Sequence, residues 1–339
     1  MTTVLVLRFS AMGDVAMAAS VMKEVAAQNP EIHFVFATRA FFAPFFVDIP
    51  NLEVFPVEFV KGVKGVKEVR GARGVRGFWG LFGLYRDLNR TYKIDAVADL
   101  HDVLRTKILK FCFRFSFKRI KIASINKGRK EKRDLCNVKT SKAQVNSMWQ
   151  RYTEVFQKIE IKTEIKSAPI PFLPEKIKKI GVSPFAQHKG KVYPPELMEK
   201  VLELLSENYE IYLFGGGKIE KEWCEKCQEK YKNVHSLVGK HSLSEELEFI
   251  STLDVMLSMD SSGMHLASLC HIPCVSIWGA THPYAGFVGF GQENNPKIQL
   301  NLPCRPCSVY GNKPCKYEDY RCLHGISPET VVKEFMRGD

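Results

Sequence analysis

Residues 253–283 read LDVMLSMDSSGMHLASLCHIPCVSIWGATHP. Val255–Met259 is an apolar run of strand length, 260–263 (Asp-Ser-Ser-Gly) is a turn cluster, and Met264–Cys270 suits a helix that leads into a second strand. This order predicts that the backbone N–H groups of Ser262, Gly263 and Met264 lie at a helix N-terminus, where unpaired donors and the positive end of the helix dipole favour phosphate. Gly263 would let a ligand approach the backbone closely. Asp260 would sit at the carboxyl end of its strand, and the crevice outside those ends is where ligands bind in open parallel sheets. The alternative is that Asp260 or Ser261 only caps the helix.

The pattern continues on both sides of this stretch. Ile180–Ser183 reads as a strand leading into a polar loop, 184–191, that contains Gln187 and Lys191; Pro194 and Pro195 then open a helix. Ile211–Phe214 is the next strand and ends in three glycines, 215–217. A triple-glycine turn is compatible with a nucleotide, but the G-x-G-x-x-G dinucleotide fingerprint is not matched. Val234–Leu237 completes a second α/β sheet. Toward the end stand Cys304, Cys307, Cys315 and Cys322. Four cysteines opening on a C-x-x-C pair allow a structural zinc knuckle, although the later spacings are not a second C-x-x-C, and plain thiols or labile disulfides are the alternative. Ser327 and Pro328 open a final helix.

The first half repeats the alternation. Strands are expected at 4–7, 32–38, 52–57 and 96–100, with helical or loop material between them, which predicts a parallel sheet covered on both faces. After the first strand comes 8–14 (Arg-Phe-Ser-Ala-Met-Gly-Asp), and Asp14 opens a helix. It either stabilises the helix dipole or faces the crevice as a carboxylate suited to take a proton from a substrate hydroxyl. His101 and Arg105 follow the fourth strand on the same side.

Between the third and fourth strands a basic residue recurs every third position from Lys61 to Arg76, with four interspersed glycines. A period of three winds around a helix and the glycines weaken it, so a loop is expected, either ordering on an anionic ligand or simply solvated. In 107–133, basic residues interleave with Phe111, Phe113, Phe115 and Phe117. The pattern fits a strand or a helix face equally. Its readings are core phenylalanine beside surface lysine, single-stranded nucleic acid binding, or attachment to anionic lipid.

The chain has 339 residues, 45% hydrophobic and 25% charged, enough for two ordinary cores. Its net charge of +12 is uneven: residues 1–142 hold 26 Lys and Arg against 13 Asp and Glu, and the remainder 23 against 24. A basic half suits an anionic partner. Three prolines within 167–174 place a linker there. The expected organisation is a first domain at 1–166, a linker at 167–175, a second domain at 176–326 and a terminal helix at 327–339. Without a basic n-region, a signal-peptide h-region or an 18-residue apolar run, a cytoplasmic protein is expected, at most peripheral to a membrane.

Taken together, the 8–14 motif, the loop carrying Lys191 and the D-x-x-G-x-H motif at 260–265 resemble glycosyltransferase family 9, the lipopolysaccharide heptosyltransferases. The resemblance implies a GT-B fold, α/β with two Rossmann-like, doubly wound domains facing a central cleft, the acceptor held mainly by the first and the nucleotide sugar by the second. It implies that the last helix returns to the first domain. It makes Asp14 the catalytic base, Lys191 a ligand of the donor phosphates, Asp260 an acidic donor-site residue, and Gly263 with His265 the phosphate loop. Ser183, Gln187, Gly216, Ser261 and Ser262 complete the expected donor site. Arg8, His101, Arg105 and the loop cations Lys64, Lys67, Arg70 and Arg73 form the expected acceptor site. The family's donor-site glutamate has three contenders here, Lys218, Ile219 and Glu220 competing for its place. The implied reaction is inverting transfer of heptose from ADP-heptose to an anionic, lipid-linked inner-core oligosaccharide, without an essential cofactor or catalytic metal. The alternatives are another nucleotide sugar or acceptor on the same fold, or a basic nucleic-acid-binding protein, which would leave Asp14 and the donor-like loop unexplained.

Overall fold

The computed structural model describes residues 2–59, 73–116, 119–137, 142–165, 168–172 and 177–336. Its elements in chain order are β1 (Thr2–Leu7), α1 (Met12–Ala27), β2 (Ile32–Thr38), β3 (Leu52–Phe59), β4 (Arg73–Val75), α2 (Gly77–Thr91), β5 (Ile94–Asp99), α3 (Leu104–Arg114), β6 (Lys121–Ser124), α4 (Arg129–Leu135) and α5 (Met148–Lys158). There follow β7 (Lys179–Ser183), α6 (Pro195–Ser206), β8 (Glu210–Leu213), α7 (Lys218–Lys230), β9 (Val234–Ser236), α8 (Leu243–Ile250), β10 (Val255–Met259), α9 (Ser262–Leu269), β11 (Cys274–Ile277), β12 (Lys297–Ile298), α10 (Arg321–His324) and α11 (Pro328–Val332).

The strands form two six-stranded sheets, ordered β4-β3-β2-β1-β5-β6 and β12-β11-β10-β7-β8-β9, and every pairing is parallel. Parallel strands need crossover helices, which bury both faces of the sheet; hence β1 from Thr3 onward and all of β10 are buried at successive residues rather than at alternate ones. Each sheet reverses its strand order once, beside β1 and β5 in the first and beside β7 and β10 in the second. Read in its own numbering, the second sheet has the order 3-2-1-4-5-6 of a Rossmann fold.

Two compact units result: Met1–Lys127 with Met148–Lys166, and Gly128–Ser147 with Ser167–Asp339. Residues 128–147, expected in the first domain, therefore belong to the second unit. Lys132 is buried with its ammonium 4.1 Å from the Phe287 ring centroid, the Val145 N–H donates to the Tyr284 carbonyl at 3.0 Å, and Lys142 donates to the Arg305 carbonyl. The terminal helix also departs from expectation. Ser327 caps α11 as read from sequence, but the helix packs on α6, and Val331, Val332 and Phe335 are buried in the second unit's core with Met198, Val201 and Leu205.

The end of the triplet-repeat segment is strand, not loop. Arg73–Val75 pairs in parallel with Val57–Phe59, and Val75 is buried. Lys61 to Ala72, including Lys64, Lys67 and Arg70, lies outside the described residues. The phenylalanine-rich segment is helical: α3 buries Leu109 and Phe113, whereas Phe111 and Phe115 are exposed.

Candidate active site

In the first unit the candidate residues gather where β1 and β5 end side by side. Leu7 is in register with Asp99, so Arg8 and Leu100 leave the sheet together, and Arg8 Nη1 donates to the Leu100 carbonyl at 2.6 Å. Arg8 Nη2 lies 2.5 Å from Asp14 Oδ2; the arginine side chain is 5% exposed and the Asp14 side chain 35%. The Arg8 guanidinium is buried and pairs with the Asp14 carboxylate and the Leu100 carbonyl. Asp14 lies in the first turn of α1 and stays open to solvent on one side. From α5, the Tyr152 hydroxyl donates to the Asp14 carbonyl at 3.4 Å, and the Arg8 guanidinium sits 5.8 Å from the Tyr152 ring centroid.

His101 is buried next to this pair, and its Nδ1 accepts the Phe9 N–H at 3.4 Å. Burial, then the charges of Arg8 and Lys127, push its pKa down to about 3, so the imidazole is neutral at physiological pH. Arg105 reaches the same place: its guanidinium lies 4.2 Å from the Phe59 ring centroid, and Phe59 packs edge-to-face on Phe9 at 4.9 Å. Beneath them the buried Asp99 accepts the His101 and Asp102 N–H groups through Oδ1 at 3.0 and 2.9 Å, and Lys110 Nζ lies 2.7 Å from its Oδ2. Arg73 is engaged elsewhere, ion-paired with Asp87 of α2 at 2.8 Å.

The depressed pKa of His101 sets a testable sign. As pH falls from 6.5 toward 3 the unfolded chain takes up a proton that native His101 refuses, so stability is lost with acidification at up to about 1.4 kcal/mol per pH unit. His282, pushed down to about 4 mainly by burial, acts in the same direction. His101→Asn keeps an acceptor for the Phe9 N–H and is expected to flatten this dependence, measured by urea unfolding across that pH range; an unchanged slope would show His101 to titrate normally.

In the second unit the candidate residues stand at the switch between β7 and β10, where Ser183 pairs with Ser258. Asp260 follows β10 and is buried; Lys191, from the loop after β7, places Nζ 2.8 Å from its Oδ2 and donates to its carbonyl at 3.0 Å. Neither Asp260 nor Ser261 caps α9. Ser261, the residue before the helix, makes no side-chain cap hydrogen bond and instead donates to the Phe185 carbonyl at 3.0 Å. The α9 N-terminus, starting at Ser262, thus keeps the backbone donors that an oxyanion would use.

Gly263 is also required by packing. A Cβ there would lie 2.5 Å from Ser183 Cβ and 2.7 Å from Ser258 Oγ, so the glycine lets α9 settle onto the ends of β7 and β10. His265 is buried within α9. The glycine turn after β8 is exposed at Gly216, whose N–H donates to Glu220 Oε2 at 2.6 Å. Of the three residues competing for the glutamate position, Glu220 is therefore the one that faces the turn. Gln187 is exposed.

The four C-terminal cysteines lie close enough for Cys304, Cys307 and Cys315 to act on the Cys322 thiol. Cys307 Sγ contacts the Ala280 carbonyl at 3.8 Å, Cys315 Sγ contacts Asp319 Oδ1 at 3.9 Å, and Cys322 is part of the hydrophobic core. Burial pushes the Cys322 thiol up to about 11 and raises that of Cys307. Among the described residues no group of three or more His, Cys, Asp or Glu side chains is placed to hold a metal ion.

Residues 90–318 match the family described as Glycosyltransferase family 9 (heptosyltransferase). The chain belongs to this family. The match includes Lys191, Asp260 and Gly263 and leaves the Arg8–Asp14 segment outside it. Among curated proteins, the chain is 26% identical over 193 residues to lipooligosaccharide heptosyltransferase 2 of Campylobacter jejuni, covering 53% of this chain and 60% of the relative; it thus spans about three fifths of that protein's length. It is 24% identical over 138 residues to lipopolysaccharide heptosyltransferase 1 of Pseudomonas aeruginosa, covering 41% of this chain and 36% of the relative. Solved structures agree on the fold. A family 9 glycosyltransferase from Veillonella parvula superposes with a TM-score of 0.70 at 18% identity, covering 99% of this chain and 97% of that one. The E. coli heptosyltransferase WaaC with ADP superposes with a TM-score of 0.68 at 16% identity, covering both chains fully. The architecture is GT-B, built of two Rossmann-like units.

For a family 9 chain, three supporting residues were invisible in sequence. Tyr152 lies 138 residues from Asp14, and Lys110 holds Asp99 from within the phenylalanine-rich helix. Gly311 sits at φ +74° against the stem of Lys191, where a Cβ would come 2.7 Å from Lys191 Cγ. Nothing in the sequence around Gly311 marked it as a neighbour of Lys191. Gly311→Ala is expected to cost about 1–2 kcal/mol from the left-handed backbone and to push Lys191 aside. Calorimetry with ADP checks the second effect, and unchanged affinity would show that Gly311 does not seat the lysine.

Proposed function

We propose that the chain is an inverting heptosyltransferase that moves heptose from ADP-heptose to a hydroxyl of an acidic, lipid-linked inner-core oligosaccharide. Family membership supports sugar transfer. The choice of donor follows its fold relatives, which include WaaC with ADP and WaaC with ADP-2-deoxy-2-fluoro heptose. The observation that carries the reading is the carboxylate of Asp14, held by a buried arginine yet one-third exposed at a strand's carboxyl end.

In this reaction the acceptor oxygen forms a bond to the anomeric carbon as the bond from that carbon to the diphosphate oxygen breaks. The electron pair leaves with the nucleotide diphosphate, and the hydroxyl proton passes to Asp14 and from there to solvent. Arg8 keeps the accepting oxygen in one place, and the neutral His101 with Arg105 offers hydrogen bonds and charge to an acidic acceptor. On the donor side, the ammonium of Lys191 is shared between the carboxylate and the carbonyl of Asp260, which leaves capacity for one further acceptor. Because that pair is neutral as a whole, the N–H groups at the start of α9 supply much of the stabilisation of the departing diphosphate.

The test is a thermal-shift panel of ADP-, GDP- and UDP-sugars, followed by mass spectrometry of an inner-core acceptor incubated with each. Selective stabilisation by ADP-heptose together with a heptose mass increment on the acceptor is the expected result. Stabilisation by a different nucleotide sugar would overturn the donor, and absence of any transfer product would overturn the reaction.

A further inference from the structure

We propose that the outer side of the α2–α3 layer is a docking face for a bilayer containing anionic phospholipid. The two helices pack against each other and bury Leu81, Leu84, Leu88, Leu109 and Phe113 against the first sheet. An ordinary covering helix would then be polar on its other side. Here that side carries large aromatics instead: Trp79 is 80% exposed, Phe115 72%, Phe111 64% and Phe78 57%. The exposed rings touch within each helix. Phe78 and Trp79 lie 5.8 Å apart, Trp79 and Phe82 6.5 Å, and Phe111 and Phe115 4.6 Å between centroids. Two such clusters of exposed rings on helices that pack together mark an interaction site rather than scattered surface residues.

Charge selects the occupant. Arg86 and Arg90 on α2, and Lys107 and Arg114 on α3, are exposed beside the rings. The only acid in either helix is Asp87, which is ion-paired with Arg73 at 2.8 Å. Phenylalanine and tryptophan flanked by arginine and lysine suit the headgroup boundary of an anionic membrane, where rings enter the acyl edge and the cations meet phosphate. Among the described residues no helix is long and apolar enough to cross a membrane, so attachment would be to its surface. A lipid-linked acceptor, as read above, gives such attachment a use, but the docking itself does not depend on that reading.

The test is flotation of the full chain with phosphatidylglycerol–phosphatidylcholine vesicles and with phosphatidylcholine vesicles alone. Binding is expected to the anionic vesicles, with a blue shift of tryptophan emission and quenching by bromine-labelled lipid that are lost in Trp79→Ser. Trp79→Ser with Phe115→Ser should weaken partitioning by tenfold or more, and Arg86→Gln with Arg90→Gln by about fivefold per charge removed. Transfer to a short-chain, water-soluble acceptor should be unchanged in both variants, whereas the Michaelis constant for acceptor embedded in vesicles should rise. The proposal is overturned if the parent does not float, if both variants float equally well, or if ultracentrifugation shows a dimer that Trp79→Ser dissociates. Vesicle binding without any heptose transfer would sink the functional reading and leave the docking face standing.

Discussion

Asp14→Asn is expected to retain nucleotide affinity while turnover falls about 10²- to 10⁴-fold, the scale set by loss of a general base. The amide matches the carboxylate in shape, so the Arg8 contact at the head of α1 can persist as a hydrogen bond, but it cannot take the hydroxyl proton. The loss should therefore appear in kcat and leave ADP binding by calorimetry near that of the parent. A stability penalty accompanies the change, because Arg8 is buried and would face a neutral group. The Asp14 side chain is one-third exposed, so solvent screens that pair and the penalty stays below the several kcal/mol of a fully buried one. Arg8→Lys supplies the second arm. A lysine cannot reach the Asp14 carboxylate and the Leu100 carbonyl with the fixed fork that Arg8 uses, so an intermediate drop in kcat is expected. Turnover of Asp14→Asn within a few-fold of the parent would remove Asp14 from the chemistry, whatever Arg8→Lys does.

Lys191→Ala is expected to unsettle the second unit as well as the donor site. Asp260 is 3% exposed at its side chain, and its carboxylate oxygen faces the Lys191 ammonium at 2.8 Å. Removing the cation leaves a buried carboxylate without its counter-ion, a change that costs about 3–5 kcal/mol in buried pairs. For a unit of this size that is a fall of about 6–20 °C in midpoint temperature. Asp260→Asn should cost less, because Lys191 is partly exposed and can reach water. The asymmetry is the diagnostic: both variants should bind ADP more weakly, but only Lys191→Ala should lose much stability by calorimetric unfolding. Equal stability of the two would mean that the pair is solvated, and undiminished ADP affinity in both would move the donor elsewhere.

The sequence by itself determined the local elements and the ends of strands. Apolar runs of strand length separated by turn clusters marked β1, β2, β7 and β10 to within a residue or two, because a strand buried on both faces of a parallel sheet is near-continuously apolar. Helix starts were legible where their chemistry is local, as at Ser327 and Pro328. Asp14 and Asp260 could be singled out since each follows a strand's carboxyl end, which is where an α/β sheet offers its crevice; Lys191 was singled out by the family resemblance.

Only the tertiary structure decided what those residues face. Lys191 meets Asp260 across 69 residues and Tyr152 meets Asp14 across 138; such partners depend on strand order and register, which no local period encodes. The same holds for the transfer of 128–147 to the second unit and the seating of α11 on α6. Arg8 is an example at a single residue. Its position after β1 was readable, but its burial and its contacts to Asp14 and the Leu100 carbonyl were not. Phe111, Phe113 and Phe115 show the limit most plainly, since strand and helix periods fit them equally. Once α3 forms against the sheet, Phe113 enters the core and the other two are left facing outward, because a helix resting on a sheet can bury only one of its sides.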